Sequence, residues 1–255
     1  MKKLSLLLLI SLLFANTGYS QNAQTQLALG AEDSWPPYSD KNGQGISTNI
    51  VNAAFAKVGI TTKIQVRNYA RVLQDVKAGL LDAGYNVTRQ QKTEHEFIFG
   101  EQPILQARAY WYFPAGNKIN FQSLDRLPDG YRVGCIIDYE YGDVYEQERH
   151  RFKEIRVPRQ SQLIRMLQQG RIDAALMFEE EANHALKEMG LPRDAVAKGM
   201  LNHTSDIYLA FSRKNPQSIS NAKMFDLGLK RLKATGEYSA LLKTIGSDST
   251  SSSAH

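Results

Sequence analysis

Along the first part of the chain, the spacing of hydrophobic positions changes several times between the period of a helix and that of a strand. Residues 47–58 and 70–78 carry apolar side chains at helical spacing, and glycines at 59 and 79 follow them directly. Residues 62–66 and 81–87 instead alternate as strands do, and 25–33 resembles a first strand. The order strand, loop, helix, strand, helix, strand predicts an α/β fold with a largely parallel sheet.

A second series behind residue 130 repeats this order. The series comprises predicted strands at 131–137, 152–157 and 174–178 and predicted helices at 142–148, 161–169 and 179–189. Both series contain the pattern Gly-x-[Leu/Ile]-Asp-Ala, at residues 79–83 and 170–174. The repeat suggests that the chain has two similar halves. We interpret Asp82 and Asp173 as structural residues that hold the same helix-to-strand turn in each half.

The remaining segments connect and close these halves. Residues 97–114 are predicted to be extended and to leave the first half, and 206–213 resemble another strand. An amphipathic helix, or a pair of helices, is predicted for 222–245 with a break at Gly236. Residues 247–255 have the composition of a disordered tail.

The N-terminus has the layout of a cleavable secretory signal. Lys2 and Lys3 precede the apolar run 4–14, and the small residues Gly18 and Ser20 follow, which predicts cleavage after Ser20. A transmembrane anchor is the alternative, but the run is much shorter than the roughly 20 residues that span a bilayer. We therefore expect an exported, periplasmic protein.

Composition excludes several functions. The 31 basic and 26 acidic residues are scattered along the chain, so nucleic acid is not an expected partner. The sequence contains no P-loop, no Gly-x-Ser-x-Gly, no His-Glu-x-x-His and no metal-ligand spacing among its five histidines, so neither a cofactor nor a metal is expected. The single Cys135 lies in an apolar stretch, which predicts a buried small side chain; a reactive thiol is the alternative.

Ligands of parallel α/β sheets bind beyond the carboxyl ends of the strands, which turns the predicted strands into a predicted site. Arginine there would pair with a carboxylate, acids would take an ammonium group, and rings would cover apolar parts of a small polar solute. The candidate residues beyond the strand ends are Asp33, Trp35, Tyr38, Asn86, Thr88, Arg89, Tyr139, Tyr141 and Glu179.

Structural alternatives stay open for three of these residues. Trp35 stands before two prolines and could anchor its loop, and Arg89 could be a solvated surface residue. Glu179 could belong to an acidic first helical turn, which the helix dipole favours.

Six blocks of the sequence, in order, are similar to motifs of the extracellular solute-binding proteins of family 3, the receptors that feed ABC importers. The blocks are WPPYSDKNGQGISTNIVNAAFAKVGI, KAGLLDAGYNVTR, FIFGEQPI, LPDGYRVGCIIDYEYGD, QQGRIDAALM and GEYSALLKTIG. The resemblance covers about residues 26–246.

The resemblance implies a type II periplasmic-binding fold of two α/β lobes joined by two strands, with closure around a ligand at the hinge. It implies a monomer that binds a small polar solute and contacts a membrane ABC permease transiently. The implied organisation is a signal peptide at 1–20, lobe one at 21–112, lobe two at 113–205, a return to lobe one at 206–246 and a tail at 247–255.

The resemblance also assigns roles to residues. The family's aromatic contact corresponds to Trp35 or Tyr38, and its contacts behind the third strand correspond to Asn86 and Thr88. Its anion-binding turn corresponds to residues 139–141, and its ammonium-binding acid to about Glu179.

One departure from the family concerns the ligand's carboxylate. The family usually places an arginine where this chain has Thr93, and that arginine grips an α-carboxylate. Arg89 or Arg71 could replace it; otherwise an ordinary α-amino acid is not the ligand. Two alternative functions are a cyclohexadienyl dehydratase-like enzyme on the same scaffold, with Glu179 or Asp33 as the acid, and a sensory binding module.

Overall fold

A computed structural model describes residues 26–116 and 121–247. The predicted signal peptide and residues 248–255 of the predicted tail lie outside these ranges. The first series of elements is β1 (Gln26–Glu32), α1 (Ile46–Ala56), β2 (Thr61–Arg67), α2 (Tyr69–Ala78), β3 (Ala83–Thr88), α3 (Gln91–Glu96), β4 (Ile98–Phe99) and β5 (Leu105–Pro114). The second series is β6 (Arg132–Ile136), α4 (Asp143–Glu148), β7 (Lys153–Val157), α5 (Gln160–Gln168), β8 (Ala174–Phe178), α6 (Glu179–Glu188), β9 (Val196–Phe211), α7 (Ser218–Ala234) and α8 (Glu237–Ser247).

The strands form one mixed sheet in the order β2-β1-β3-β9-β5-β8-β6-β7, with β4 paired to β9. β1 lies parallel to β2 and β3 in one half, and β6 lies parallel to β7 and β8 in the other. The long strands β5 and β9 run antiparallel to each other between the halves. The prediction of a two-lobed α/β fold joined by two strands is confirmed.

The crossing strands differ from their prediction in extent. β9 covers residues 196–211, whereas the apolar pattern predicted a strand only from 206. Residues 198–206 are largely polar, and they form a strand because β5 supplies their backbone hydrogen bonds. The register between the two strands shifts between Ala109 and Tyr112, which is where the sheet passes from one lobe to the other. The predicted lobe limits fall close to these strands and remain predictions.

The repeated Gly-x-[Leu/Ile]-Asp-Ala pattern forms the same joint in each lobe. Gly79 and Gly170 follow helices α2 and α5 with φ of 79° and 62°, a left-handed conformation that suits glycine. The carboxylate of Asp82 accepts a hydrogen bond from a backbone N–H of β1 at 2.8 Å, and that of Asp173 accepts one from β6 at 2.9 Å. The structural interpretation of the two aspartates is confirmed.

A partly buried polar network packs behind β6 in the second lobe. Cys135 is fully buried beside the hydroxyl of Tyr145, and burial raises the pKa of its thiol to about 12, which confirms the predicted buried side chain. The Tyr145 hydroxyl donates to Glu154, whose carboxylate also accepts hydrogen bonds from Arg149 and Arg156. We call Tyr145, Arg149, Glu154 and Arg156 the arginine network.

Within the described ranges, no helix has both the length and the apolar character needed to cross a bilayer.

Candidate ligand-binding site

A small cavity lies between the lobes, at the carboxyl ends of the strands. Its volume is about 10 Å³, close to the space of one water molecule. We call it the inner cavity, and its lining residues are Glu32, Trp35, Tyr69 and Asn86 from lobe one and Tyr139, Glu140 and Phe178 from lobe two.

The fold explains why these residues meet. β1 ends at Glu32 and β8 ends at Phe178, while the loop behind β6 carries Tyr139 and Glu140. α2 begins at Tyr69, directly after β2. Because the strands of each lobe are parallel, their carboxyl ends lie at one edge, and the crossing strands bring the two edges together.

Aromatic rings form one wall of the inner cavity. The Trp35 ring lies 4.4 Å from that of Tyr38 and 5.4 Å from that of Phe178, which it meets edge-on. Tyr141 stacks on the other side of Phe178 at 6.1 Å. Tyr38 and Tyr141 are therefore supports behind the wall, whereas Trp35 and Phe178 face the cavity.

Carboxylates form the opposite side. The hydroxyl of Tyr139 donates to Glu32 and lies 3.3 Å from an oxygen of Glu181, and the Tyr69 hydroxyl donates to Glu140 at 2.7 Å. Each of these three glutamates is at most 5% exposed. We call Glu32, Glu140 and Glu181 the carboxylate cluster. Glu181 does not line the cavity itself; it lies behind Tyr139, whose hydroxyl contacts it.

The pKa values of all three carboxyl groups in the carboxylate cluster are raised. Burial raises the pKa of Glu32 to about 8, against a hydrogen bond from Tyr139, and the charges of Asp33 and Glu140 raise it further. Burial likewise raises the pKa of Glu140 to about 8. The pKa of Glu181 is well above its usual value, because of burial and the neighbouring Glu32. In this closed arrangement the cluster therefore holds protons near neutral pH.

Asn86 contributes an unpaired amide to the cavity. Its backbone has φ of 69°, a left-handed conformation that asparagine tolerates, at a point where the pairing of β3 with β9 shifts register. Both polar atoms of its side chain are buried and have no hydrogen-bond partner among the described residues. Leaving a buried polar group unpaired costs about 1–3 kcal/mol, so this amide is placed to bind something that enters the cavity.

Contacts across the cleft hold the lobes together. Besides the two tyrosine–glutamate bonds, the Gly142 backbone N–H donates to the side chain of Gln90 at 3.2 Å. The Gln91 backbone N–H lies 3.4 Å from an oxygen of Asp143. The structure thus has its lobes closed on one another.

Besides Tyr38 and Tyr141, three more of the residues predicted from the strand ends, Asp33, Thr88 and Glu179, do not line the inner cavity. Glu179 forms ion pairs with Lys198 and Arg108 of the crossing strands. It lies in the first turn of α6, which agrees with the alternative that it belongs to an acidic first helical turn. Thr88 is buried, and its carbonyl accepts the Thr93 hydroxyl at 2.7 Å, so Thr93 secures the start of α3. The backbone of Asp33 donates to β2 at 2.9 Å, and its side chain is not among the cavity-lining groups.

Neither arginine considered for the carboxylate contact lines the inner cavity. Arg71 is exposed and pairs with Asp75, one helical turn away, at 2.9 Å. Arg89 pairs with Glu94 at 2.6 Å and lies over the rings of Phe99 and Tyr208. It borders a separate open groove of about 360 Å³, which we call the outer groove, lined by Arg89, Gln90, Gln91, Glu94, Asp143, Asp206 and Tyr208.

Sequence reasoning located Trp35, Asn86 and Tyr139 but missed the carboxylate cluster. Each missed residue is adjacent to a predicted one or nearly so: Glu32 precedes Asp33, Glu140 follows Tyr139, and Glu181 comes two residues after Glu179. A shift of one residue at a strand end reverses the face to which a side chain points. Residues 139–141, for which the resemblance implies anion binding, include Glu140, whose side chain lines the cavity; their role stays a prediction.

Comparison with known proteins identifies the family. The sequence profile of the bacterial extracellular solute-binding proteins, family 3, matches residues 27–247. The chain belongs to this family. A comparison with curated proteins found no match.

Solved structures of similar fold include proteins with different roles. A histidine kinase sensor domain similar to periplasmic binding proteins has a TM-score of 0.74 and 18% identity, covering 87% of this chain and 96% of its own. The substrate binding protein of an amino acid ABC transporter has a TM-score of 0.69 and 19% identity, covering 86% and 98%. An ancestral amino acid-binding protein, AncCDT-1, described as a precursor of cyclohexadienyl dehydratase, has a TM-score of 0.69 and 16% identity, covering 86% and 94%. At these identities the likeness is one of fold.

Proposed function

We propose that this chain is a periplasmic receptor that traps a small polar solute between its lobes. The observation that carries the proposal is Asn86, whose buried, unpaired amide faces a cavity formed by side chains of both lobes. An inter-lobe cavity lined by rings and a few polar groups is a typical small-molecule site.

Closure is the step that couples binding to function. Tyr69 and Glu140 belong to opposite lobes, as do Glu32 and Tyr139, so their hydrogen bonds break when the cleft opens. A solute that contacts both walls stabilises the closed form over the open one and shifts the population toward it. The cavity must widen to admit that solute, because its present volume holds about one water molecule.

A thermal-shift screen of the chain from residue 21 onward tests solute binding. The panel contains amino acids, polyamines, small peptides and organic acids, because a ligand that binds only the folded state raises the Tm. At a concentration of about 100 Kd we expect roughly 2.7 kcal/mol of stabilisation. A panel in which no compound raises the Tm would contradict the proposal.

A closure measurement distinguishes trapping from surface binding. Lys63 on β2 and Lys153 on β7 are exposed and lie near opposite ends of the sheet. Cysteines at these positions accept a donor and an acceptor dye, while the buried Cys135, with its raised pKa, stays unlabelled. We expect the ligand to change transfer efficiency at saturating concentration, and an unchanged efficiency contradicts trapping.

The partner of the closed form is proposed to be an ABC importer in the membrane, with transient contact to a monomeric receptor. Uptake of labelled ligand into proteoliposomes that contain the importer should require this chain. Dependence of a kinase on the same ligand, without uptake, would instead favour the sensory role.

An enzyme of the dehydratase type is the second candidate, because Glu32 and Glu140 with pKa values of about 8 could donate protons near neutral pH. Such chemistry also needs an anion-binding pocket, and the described residues that line the inner cavity include no arginine or lysine. The geometry therefore favours binding without catalysis. Mass spectrometry of prephenate and arogenate after incubation tests this, since conversion of either would favour the enzyme.

A further inference from the structure

The inner cavity concentrates acidic groups, and none of the described residues that line it is basic. Glu32 and Glu140 line it directly, and Glu181 lies behind Tyr139, whose hydroxyl reaches both Glu32 and Glu181. The second oxygen of Glu181 accepts a hydrogen bond from Gln160 at 2.6 Å, which is a neutral donor. Nearby Lys92, which favours ionisation of Glu140, is exposed at the surface.

The other groups in the cavity suit an organic cation. The rings of Trp35, Phe178 and Tyr139 lie beside the carboxylates, and aromatic faces attract ammonium and guanidinium groups. The unpaired Asn86 oxygen can accept N–H groups of such a cation, while its unpaired amide nitrogen can donate to another polar atom. Among the described residues, no group of acidic, histidine or cysteine side chains has the arrangement of a metal site, so a bare metal ion does not fit.

An α-carboxylate would find no cationic partner among the described residues that line the cavity. Arg71 and Arg89 make their ion pairs outside the inner cavity, and Thr93 is buried at the start of α3. A ligand carboxylate would therefore be buried beside the carboxylate cluster without a cationic partner, and burying an unpaired charge is costly.

We propose that the inner cavity selects an organic ammonium or guanidinium cation that carries no carboxylate, with Glu32 and Glu140 as its direct partners and Glu181 as a further charge behind Tyr139. This inference rests on the proposed receptor function and names its ligand class. On binding, the cation takes the place of the protons that neutralise the cluster in the closed cavity.

Matched pairs of compounds that differ only in the carboxylate test the ligand class. The pairs are agmatine with arginine and 1,5-diaminopentane with lysine, and choline tests a cation without N–H groups. Calorimetric titration at pH 8 should show at least about tenfold tighter binding for the decarboxylated member of a pair. Tighter binding of arginine or lysine would overturn the cation inference while supporting the receptor function.

Substitution of the cluster tests where the cation binds. Glu32→Gln and Glu140→Gln keep the side-chain size and remove one charge each, and we expect each to weaken binding of agmatine or 1,5-diaminopentane by about tenfold or more. Glu181→Gln should weaken it less. The matched control is Glu188→Gln on the same helix as Glu181, because its side chain is 70% exposed; its affinity should stay within about twofold.

The outcomes separate the two proposals. If Glu32→Gln binds the organic cation as tightly as the control Glu188→Gln does, the cation does not bind at the carboxylate cluster, and that assignment is overturned. A panel in which organic cations fail but a neutral or anionic solute raises the Tm overturns the cation inference alone. A panel in which no compound raises the Tm or closes the lobes overturns both. The compound pairs are compared on the unchanged protein, so this test does not depend on the variants folding.

Discussion

Two groups of polar side chains in this molecule, one partly buried and one buried, shift the pKa values of their carboxylates in opposite directions. In the arginine network, burial opposes ionisation of Glu154, but hydrogen bonds from Arg156 and Tyr145 outweigh it and hold the pKa below its usual value. In the carboxylate cluster, tyrosine and glutamine supply the hydrogen bonds, and the pKa values of Glu32 and Glu140 rise to about 8.

The difference lies in the source of the compensating charge. The arginine network is neutralised by side chains of its own lobe and has no need of a ligand. The carboxylate cluster combines residues of both lobes, and no described arginine pairs with it, although burying an unpaired charge is costly. Glu154 is partly buried and has arginine partners, whereas the three buried glutamates have no ion pair with a described residue, so their position is left to protons or to a ligand.

The largest expected effect comes from breaking the arginine network. Arg156→Gln leaves Glu154 with a weaker set of partners, and breaking a buried pair costs about 3–5 kcal/mol. Because the Arg156 side chain is 22% exposed, we expect a loss of roughly 2–3 kcal/mol, or about 4–10 °C in Tm. The control is Lys153→Gln, which removes the same charge from an exposed position on the same strand. Equal losses in both variants, measured by thermal unfolding at pH 7, would contradict the comparison.

A pH-dependent effect of opposite sign is expected in the carboxylate cluster. A raised pKa means that the folded protein binds the proton more tightly than the unfolded chain, so this stabilising contribution is complete below about pH 4.5. It is lost as pH rises through about 8. Glu32→Gln has no such dependence, and without ligand it should be more stable than the parent protein at pH 8 but nearly equal to it at pH 4.5.

Denaturant unfolding at the two pH values measures this difference. Asp33, Tyr139, Glu140 and Glu181 are the titratable groups that influence Glu32, and they are unchanged in the variant. The control Glu188→Gln should follow the parent protein at both pH values. A Glu32→Gln variant that is less stable than the parent protein at pH 8 would show that the cluster is neutralised as the arginine network is.

The sequence predicted the scaffold because the scaffold depends on periodic apolar positions. The strand ends located Trp35, Asn86 and Tyr139, since parallel strands end at one edge. Which of two adjacent polar residues turns inward, as Glu32 does beside Asp33, depends on twist and packing and has no periodic signal. The ion pair between Arg71 and Asp75 could be predicted from the sequence, because the two residues are four positions apart on a helix.

The smallest expected effect concerns Arg89, and it tests whether the inner cavity acts without the outer groove. Its side chain is 40% exposed and pairs with Glu94, so Arg89→Ala should cost less than about 1 kcal/mol of stability. Affinity for agmatine should stay within about twofold, as in the control Arg126→Ala, whose side chain is 74% exposed. Calorimetric titration of both variants measures this. A loss of affinity of tenfold or more in Arg89→Ala alone would mean that the ligand extends into the outer groove and presents an anion there. In that case an arginine would take part in ligand binding, and the contrast between the carboxylate cluster and the arginine network would no longer hold.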